Sequence, residues 1–169
     1  QNKDTIMVVV DRFSKMAHFI ACSGLPSAAE VVTLLFNHVI RLHSLPLTIT
    51  SDRGSQFTSK LWKAWCSALQ ITSNLSTSFH PQTDGQTELV NQDLKQYLRC
   101  YLSDTKGPWT ELLWEAEFAY NNLCNSSTQL SPFYANYGFH THFTPLMSLL
   151  ASTDYPSLNL QLRKISRLS

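Results

Sequence analysis

Thr5-Ile6-Met7-Val8-Val9-Val10-Asp11-Arg12-Phe13-Ser14-Lys15 is the strongest strand signal in the chain, and the fold class follows from it. Branching at Cβ stiffens a side chain and suits a pleated, extended backbone, so Thr5 to Val10 predicts a strand. The run has no polar alternation, which predicts burial on both faces. Arg12-Phe13-Ser14-Lys15 reads as a turn, and Ala17-His18-Phe19-Ile20-Ala21 returns as a second strand, giving a hairpin. Asp11 closes the first strand, where a carboxylate accepts hydrogen bonds from the N–H groups of the turn.

Downstream of the hairpin, Gly24-Leu25-Pro26 breaks the sheet and Ser27 opens a helix, with Glu30 at the reciprocal capping-box spacing. Val31, Leu34, Leu35, His38, Val39 and Leu42 recur at helical period and predict one face packed on the sheet. Leu47-Thr48-Ile49-Thr50 reads as a third strand and Ile71-Thr72-Ser73-Asn74-Leu75 as a weaker one. Between them, Lys60 to Leu69 predicts a helix that turns Leu61, Trp62, Trp65 and Leu69 inward. Ser78 to Gly85 is rich in turn formers. From about Gln86 to Leu102, Val90, Leu94, Tyr97 and Tyr101 mark the core stripe of a helix, with Glu88, Asn91, Gln92, Lys95 and Arg99 on another face. Trp109 to Asn121 predicts a further helix burying Leu112, Leu113, Ala116 and Tyr120. Beyond Ser131-Pro132 the Pro, Ser and Thr punctuation reads as a linker, and Leu158 to Leu168 as the start of another helix. Strands alternating with helices in this order predict a mixed α/β fold, helices layered on a sheet.

The 169 residues fit one domain, and 43% hydrophobic content suffices for a core. Charged residues make up 15%, which excludes a solvated, disordered chain. A formal net charge of +1 leaves any nucleic-acid contact to local placement of bases and acids. Cys22, Cys66, Cys100 and Cys124 contain no C-x-x-C pair, so buried free thiols are the expectation, not a zinc site. No long apolar run or signal sequence is visible, which favours an intracellular protein without a membrane partner. The first residue is Gln, not Met, consistent with a processed product or fragment.

Two acids are placed to face a common cleft. Asp52, in Thr50-Ser51-Asp52-Arg53-Gly54, lies just past the third strand, and Glu88 opens the helix after the turn-rich segment. Each has an ordinary reading, Asp52 as a turn or cap residue and Glu88 as a first-turn glutamate favoured by the helix dipole. Held together, two carboxylates can bind divalent metal for phosphodiester chemistry, which usually requires a third acid.

Four blocks occur in order: Val8-Val9-Val10-Asp11-Arg12-Phe13-Ser14-Lys15, Ser51-Asp52-Arg53-Gly54-Ser55-Gln56-Phe57, Phe79-His80-Pro81-Gln82-Thr83-Asp84-Gly85-Gln86-Thr87-Glu88 and Glu117-Phe118-Ala119-Tyr120-Asn121-Asn122. The set resembles the integrase catalytic core of gypsy-type LTR retrotransposons, a branch of the retroviral integrase superfamily. The match runs from about Thr5 to Pro145, so 1–145 is read as the catalytic core and 146–169 as a linker with the start of a C-terminal helix.

The resemblance implies a ribonuclease-H-like mixed sheet flanked by helices, and DNA integration by metal-dependent polynucleotidyl transfer. Asp52 and Glu88 would be the second and third acids of an Asp…Asp…Glu site holding two Mg²⁺ (or Mn²⁺) ions. Phe79, His80 and Gln82 of the active-site loop, with Asn91 and Lys95 on the following helix, would contact DNA. Element ends and target DNA, together with further copies of the chain, would be the partners, and the nucleus the place of action. The first acid of the family lies on a normally central strand upstream of Val8–Asp11, so both are expected to be absent from this chain. These residues alone are therefore expected to be inactive. Leu89 also stands where the family carries a basic residue. The alternative expectation is a degenerate or host-adopted relic that binds DNA or oligomerises without catalysis.

Overall fold

The structure, a computed structural model, describes residues 3–76, 90–92, 94–96 and 108–141. The chain divides into two compact units, one of Gln1–Val10 with His18–Lys106 and one of Asp11–Ala17 with Gly107–Ser169.

In the first unit, β1 (Thr5–Val10) pairs with β2 (Ala17–Cys22), so the expected hairpin forms. Its burial differs from expectation. Every residue of β1 is half-buried, while β2 is buried at all but one position. The apolar run in β1 therefore overstated its burial, since β2 is its sole hydrogen-bonded neighbour among the described residues. A second pair joins β3 (Thr48–Ser51) to β4 (Thr72–Leu75) in parallel, with Thr48 opposite Thr72 and Ser51 opposite Leu75. Among the described residues the strands form these two separate pairs and no single mixed sheet.

Helix α1 (Ala28–Leu35) starts as expected. The Ser27 hydroxyl accepts from the Glu30 N–H, and the Glu30 carboxylate accepts from the Ser27 N–H at 2.8 Å. The predicted inward stripe then fails: Val31 and Leu35 are buried, but His38 and Leu42 are exposed. The reason is a π-helical turn, Phe36–Ile40, before α2 (Arg41–His43). One extra residue rotates everything beyond it by about 100°. Val39 and Ile40 now pack against the core, and His43 faces His18 of β2, Nε2 to Nε2 at 2.9 Å.

Helices α3 (Ser55–Thr58) and α4 (Lys60–Ala68) follow β3. Trp62 is fully buried and Cys66 nearly so, whereas Leu61, expected inside, is 49% exposed. With Trp62 fixed at the centre, helical spacing brings Cys66 under it and carries Leu61 round to solvent. Val31, Leu35, Trp62, Cys66 and Ile71 form the core of this unit, with Met7 and Val9 of β1 and Ile49 of β3 packed against it. Trp62 donates its indole N–H to Ser73 Oγ of β4 at 3.0 Å and meets Phe57 edge-on. Residues 90–92 and 94–96 are helical, with Val90 and Leu94 buried as expected. Tyr97, Tyr101 and Arg99 lie outside the described residues.

The second unit holds the hairpin turn, a 3₁₀ turn (Trp109–Leu112), α5 (Leu113–Asn122) and α6 (Pro132–Tyr137). Leu112, Leu113 and Ala116 are buried as predicted, but Tyr120 is only half-buried. Asn121 takes the inner position at 1% exposure. Its Oδ1 accepts from the Ala17 N–H and its Nδ2 donates to the Ala17 carbonyl, each at 2.8 Å. The amide thus acts on Ala17 as a neighbouring strand would. The expected linker after Ser131 is instead α6. Ser131 caps it through the Tyr134 N–H, Pro132 supplies a preset φ in the first turn, and Gly138 ends it in the left-handed region at φ 77°. The domain boundary at 145/146 and the helix over Leu158–Leu168 lie outside the described residues.

Cys22 and Cys66 are buried free thiols, whose protonated form burial favours, while Cys124 is exposed, contrary to expectation. Cys100 lies outside the described residues. No helix among the described residues is long and apolar enough to cross a membrane.

Candidate active site

Asp52 stands one residue beyond β3, at the carboxyl ends of the parallel β3–β4 pair. That edge is where open α/β sheets gather ligands, because parallel strands deliver their following loops to the same side. Here the register does so concretely. Ser51 lies opposite Leu75, the Ser76 N–H donates to the Ser51 carbonyl at 2.8 Å, and Arg53 Nε donates to the Ser76 carbonyl at 3.4 Å. The chain that leads to Phe79–Glu88 therefore departs beside Asp52. Parallel pairing was not legible from the two short strands.

The Asp52 side chain is exposed and is held at one oxygen. Oδ1 accepts from the Gly54 N–H at 2.9 Å, an Asx turn that fixes the carboxylate against its own backbone. Oδ2 accepts no hydrogen bond among the described residues. A hard cation could use it as an oxygen ligand. Two buried polar atoms, Ser51 Oγ and Gln56 Oε1, lack hydrogen-bond partners among the described residues. Sequence reading missed both. The signal available for Gln56 was its place in the Ser51–Phe57 block. No three His, Cys, Asp or Glu side chains among the described residues are grouped to hold a metal ion. Of the predicted site residues, Glu88, Phe79, His80 and Gln82 lie outside the described residues; Asn91, in helical residues 90–92, is half-buried, and Lys95, in helical residues 94–96, is exposed.

Asp11 plays the turn role read from sequence. Its Oδ2 accepts from the Ser14 N–H at 2.8 Å and from the Ser14 hydroxyl at 2.7 Å. Burial pushes the Asp11 carboxyl up, but the Ser14 and Phe13 N–H groups, the Ser14 hydroxyl and the Lys15 charge outweigh it and hold it below its ordinary value. A group depressed in the folded state stabilises above its unfolded pKa, about 3.9, and loses that contribution as pH falls through its folded value. Asp11→Ala is thus expected to lower stability by about 1 kcal/mol at neutral pH. The gap from wild type should close below about pH 4. Urea unfolding of both proteins from pH 7 to pH 3 checks this, and a gap that widens in acid would contradict it.

Residues 2–81 match the family described as integrase core domain. A curated relative, the transposon Tf2-3 polyprotein of Schizosaccharomyces pombe (strain 972 / ATCC 24843), is 34% identical over 143 residues, or 85% of this chain. The chain carries an integrase core. It belongs with the integrase catalytic cores of LTR retrotransposons, and it spans 11% of the length of that polyprotein. Among solved structures, the integrase core resembles the HTLV-2 integrase catalytic core domain in complex with magnesium, in its trimeric form. That likeness has a TM-score of 0.65 at 22% identity, covering 78% of this chain and 84% of that one. It also resembles a chain of the simian T-cell lymphotropic virus intasome in complex with PP2A regulatory subunit B56 gamma, with a TM-score of 0.69 at 24% identity. That match covers 78% of this chain and 48% of that one. The fold of the integrase core is ribonuclease-H-like.

Proposed function

We propose that this integrase core is the part of a gypsy-type retroelement polyprotein that carries two of the three acids for DNA integration, Asp52 and Glu88. One observation carries the proposal. On a chain matching the integrase core domain, Asp52 stands at the carboxyl edge of β3–β4 with one carboxylate oxygen tied to Gly54 and the other available. The donor chemistry fits Mg²⁺ or Mn²⁺, since carboxylate oxygen is what these ions prefer. A bound divalent ion would supply Lewis acidity to phosphodiester oxygens and lower the pKa of water near the scissile bond.

The protein's own contribution is positional. The Gly54 N–H holds one oxygen of the Asp52 carboxylate before any ligand arrives, which reduces the side-chain ordering left for the binding step. Exposed Lys95 supplies positive charge for a phosphate backbone, and half-buried Asn91 a hydrogen-bonding amide. Phe79, His80 and Gln82 would complete the DNA contact. The activity so built is hydrolysis near the element's end, followed by attack of the freed 3′-hydroxyl on target DNA. Homo-oligomers, DNA partners and action in the nucleus belong to the same reading. The oligomers and DNA partners are supported by similar solved structures named as trimeric, dimeric and intasome forms.

Incubating the purified chain with Mn²⁺ and an oligonucleotide that mimics a processed element end tests this. No joined product is expected from these residues by themselves, because two acids do not make the three-acid site. Joining is expected once an upstream strand with the first acid is supplied; that strand should also raise the melting temperature, by pairing with β1 and β3. Joining by the chain alone would overturn the shared-site reading. Leu89, in place of a basic residue, favours a second reading, a non-catalytic DNA-binding relic. DNA binding with no joining in the extended protein would select it.

A further inference from the structure

Residues 53–76 contain three of the chain's 13 basic residues, Arg53, Lys60 and Lys63, and none of its 12 acidic ones. This segment carries +3, while the rest of the chain sums to −2. All three side chains are exposed. Among the described residues the Arg53 guanidinium donates only through Nε, to the Ser76 carbonyl, and the Lys60 and Lys63 ammonium groups make no hydrogen bond or ion pair. Helix stability does not explain the two lysines. Lys60 is the first residue of α4 and Lys63 follows three residues later, and the first turn holds no acid. Positive charge there opposes the helix dipole, and like charges three residues apart repel. Helix α1 has the arrangement that stability favours, with Glu30 in its first turn. The basic face also adjoins Asp52. Arg53 is its chain neighbour, and Lys60 follows eight residues on. Between them the Phe57 and Thr58 N–H groups donate to the Gly54 carbonyl at 3.0 and 3.2 Å, and the Ser59 hydroxyl donates to the Gln56 carbonyl at 3.0 Å. These bonds coil the connection into one helical turn, which advances only about 6 Å.

We propose that Arg53, Lys60 and Lys63 form a track for the phosphate backbone of duplex DNA beside Asp52. This rests on the reading of the chain as a DNA-integrating core. Charge complementarity selects the occupant: duplex DNA presents a phosphate about every 1.7 Å of its axis, and an exposed, acid-free basic face gains by releasing its condensed counterions. The Arg53 guanidinium, held at Nε, keeps its two Nη groups for a phosphate, and the lysine ammonium groups act as point charges. Such contacts position DNA without reading its sequence.

The test is fluorescence anisotropy of the purified chain with a labelled DNA duplex of arbitrary sequence, in EDTA so that no metal contributes. Arg53→Gln, Lys60→Gln and Lys63→Gln should each lower the slope of log K against log salt concentration by about 0.9, and the triple variant by about 2.7. Arg41→Gln removes the same charge from an exposed guanidinium on α2 and should keep the wild-type slope. Lys60→Glu should bind more weakly than Lys60→Gln while its melting temperature stays or rises, since a carboxylate suits a first turn. If wild type binds with a steep slope and the triple variant keeps it, DNA remains the partner and this face is not its track. A slope that falls as far in Arg41→Gln as in Arg53→Gln assigns the effect to net charge and overturns the track. Absence of salt-dependent binding by wild type overturns the DNA reading, and this proposal with it. Poly-L-glutamate that binds as tightly as the duplex, and is lost in the triple variant, assigns the face to an acidic protein and overturns the proposal. So does sedimentation without DNA in which wild type is a dimer and the triple variant a monomer, which assigns the face to a second copy.

Discussion

In a polypeptide that joins this chain to the upstream acid, Asp52→Asn is expected to lower strand transfer by roughly a thousand-fold or more. Asparagine keeps an oxygen that can accept from the Gly54 N–H, so the Asx turn and the melting temperature should be preserved. What it loses is the charge that a divalent cation requires of its ligand. Glu88→Gln should behave alike. Asp11→Asn should leave strand transfer near wild type, since the Asp11 carboxylate is engaged by Ser14 in the hairpin turn. Single-turnover joining assays in Mn²⁺ read all three variants. Retention of more than a tenth of activity by Asp52→Asn would remove Asp52 from the site.

Trp62→Ala should have the largest effect on stability, a loss of about 3–5 kcal/mol. Trp62 is fully buried, packs with Phe57 and Trp65 at ring-centroid distances of 5.1 Å, and ties α4 to β4 through Ser73. Truncation leaves a large cavity in the cluster shared by α1 and α4, and it strips Ser73 Oγ of its donor. Trp62→Phe keeps most of the volume and should lose about 1–3 kcal/mol, the part due to the indole N–H and the missing ring. Urea unfolding of both variants measures the difference. Equal losses would place the energy in the hydrogen bond and not in the packing.

The hairpin, the capped start of α1 and the burial of Val90, Leu94, Leu112, Leu113 and Ala116 were all legible, because each depends on short-range rules. Asp11 was legible for the same reason: an aspartate three residues before a serine N–H makes its own turn. Failures began where a local rule met a neighbour. Periodicity placed Leu42 inside, but the π turn moved His43 there against His18. Punctuation read Ser131-Pro132 as a linker, although the same residues are a cap and a first-turn proline. The smallness needed at Gly54 also comes from a neighbour, since a Cβ there would meet the Gln56 amide.

Read alone, the chain gives the family and most of the order of strands and helices, and it nominates Asp52 and Glu88. Motif residues and hydrophobic period are carried by neighbours along the chain, so no tertiary contact is needed to read them. Only folding shows that β3 and β4 run parallel, that the chain leaving β4 starts beside Asp52, and that the Gln56 amide fills the space a side chain at 54 would take. These depend on register and on which groups exclude one another in space. Residues more than twenty apart set the first two jointly, and no short window along the chain contains both partners; the third joins near neighbours and depends on where the folded core sends the Gln56 side chain.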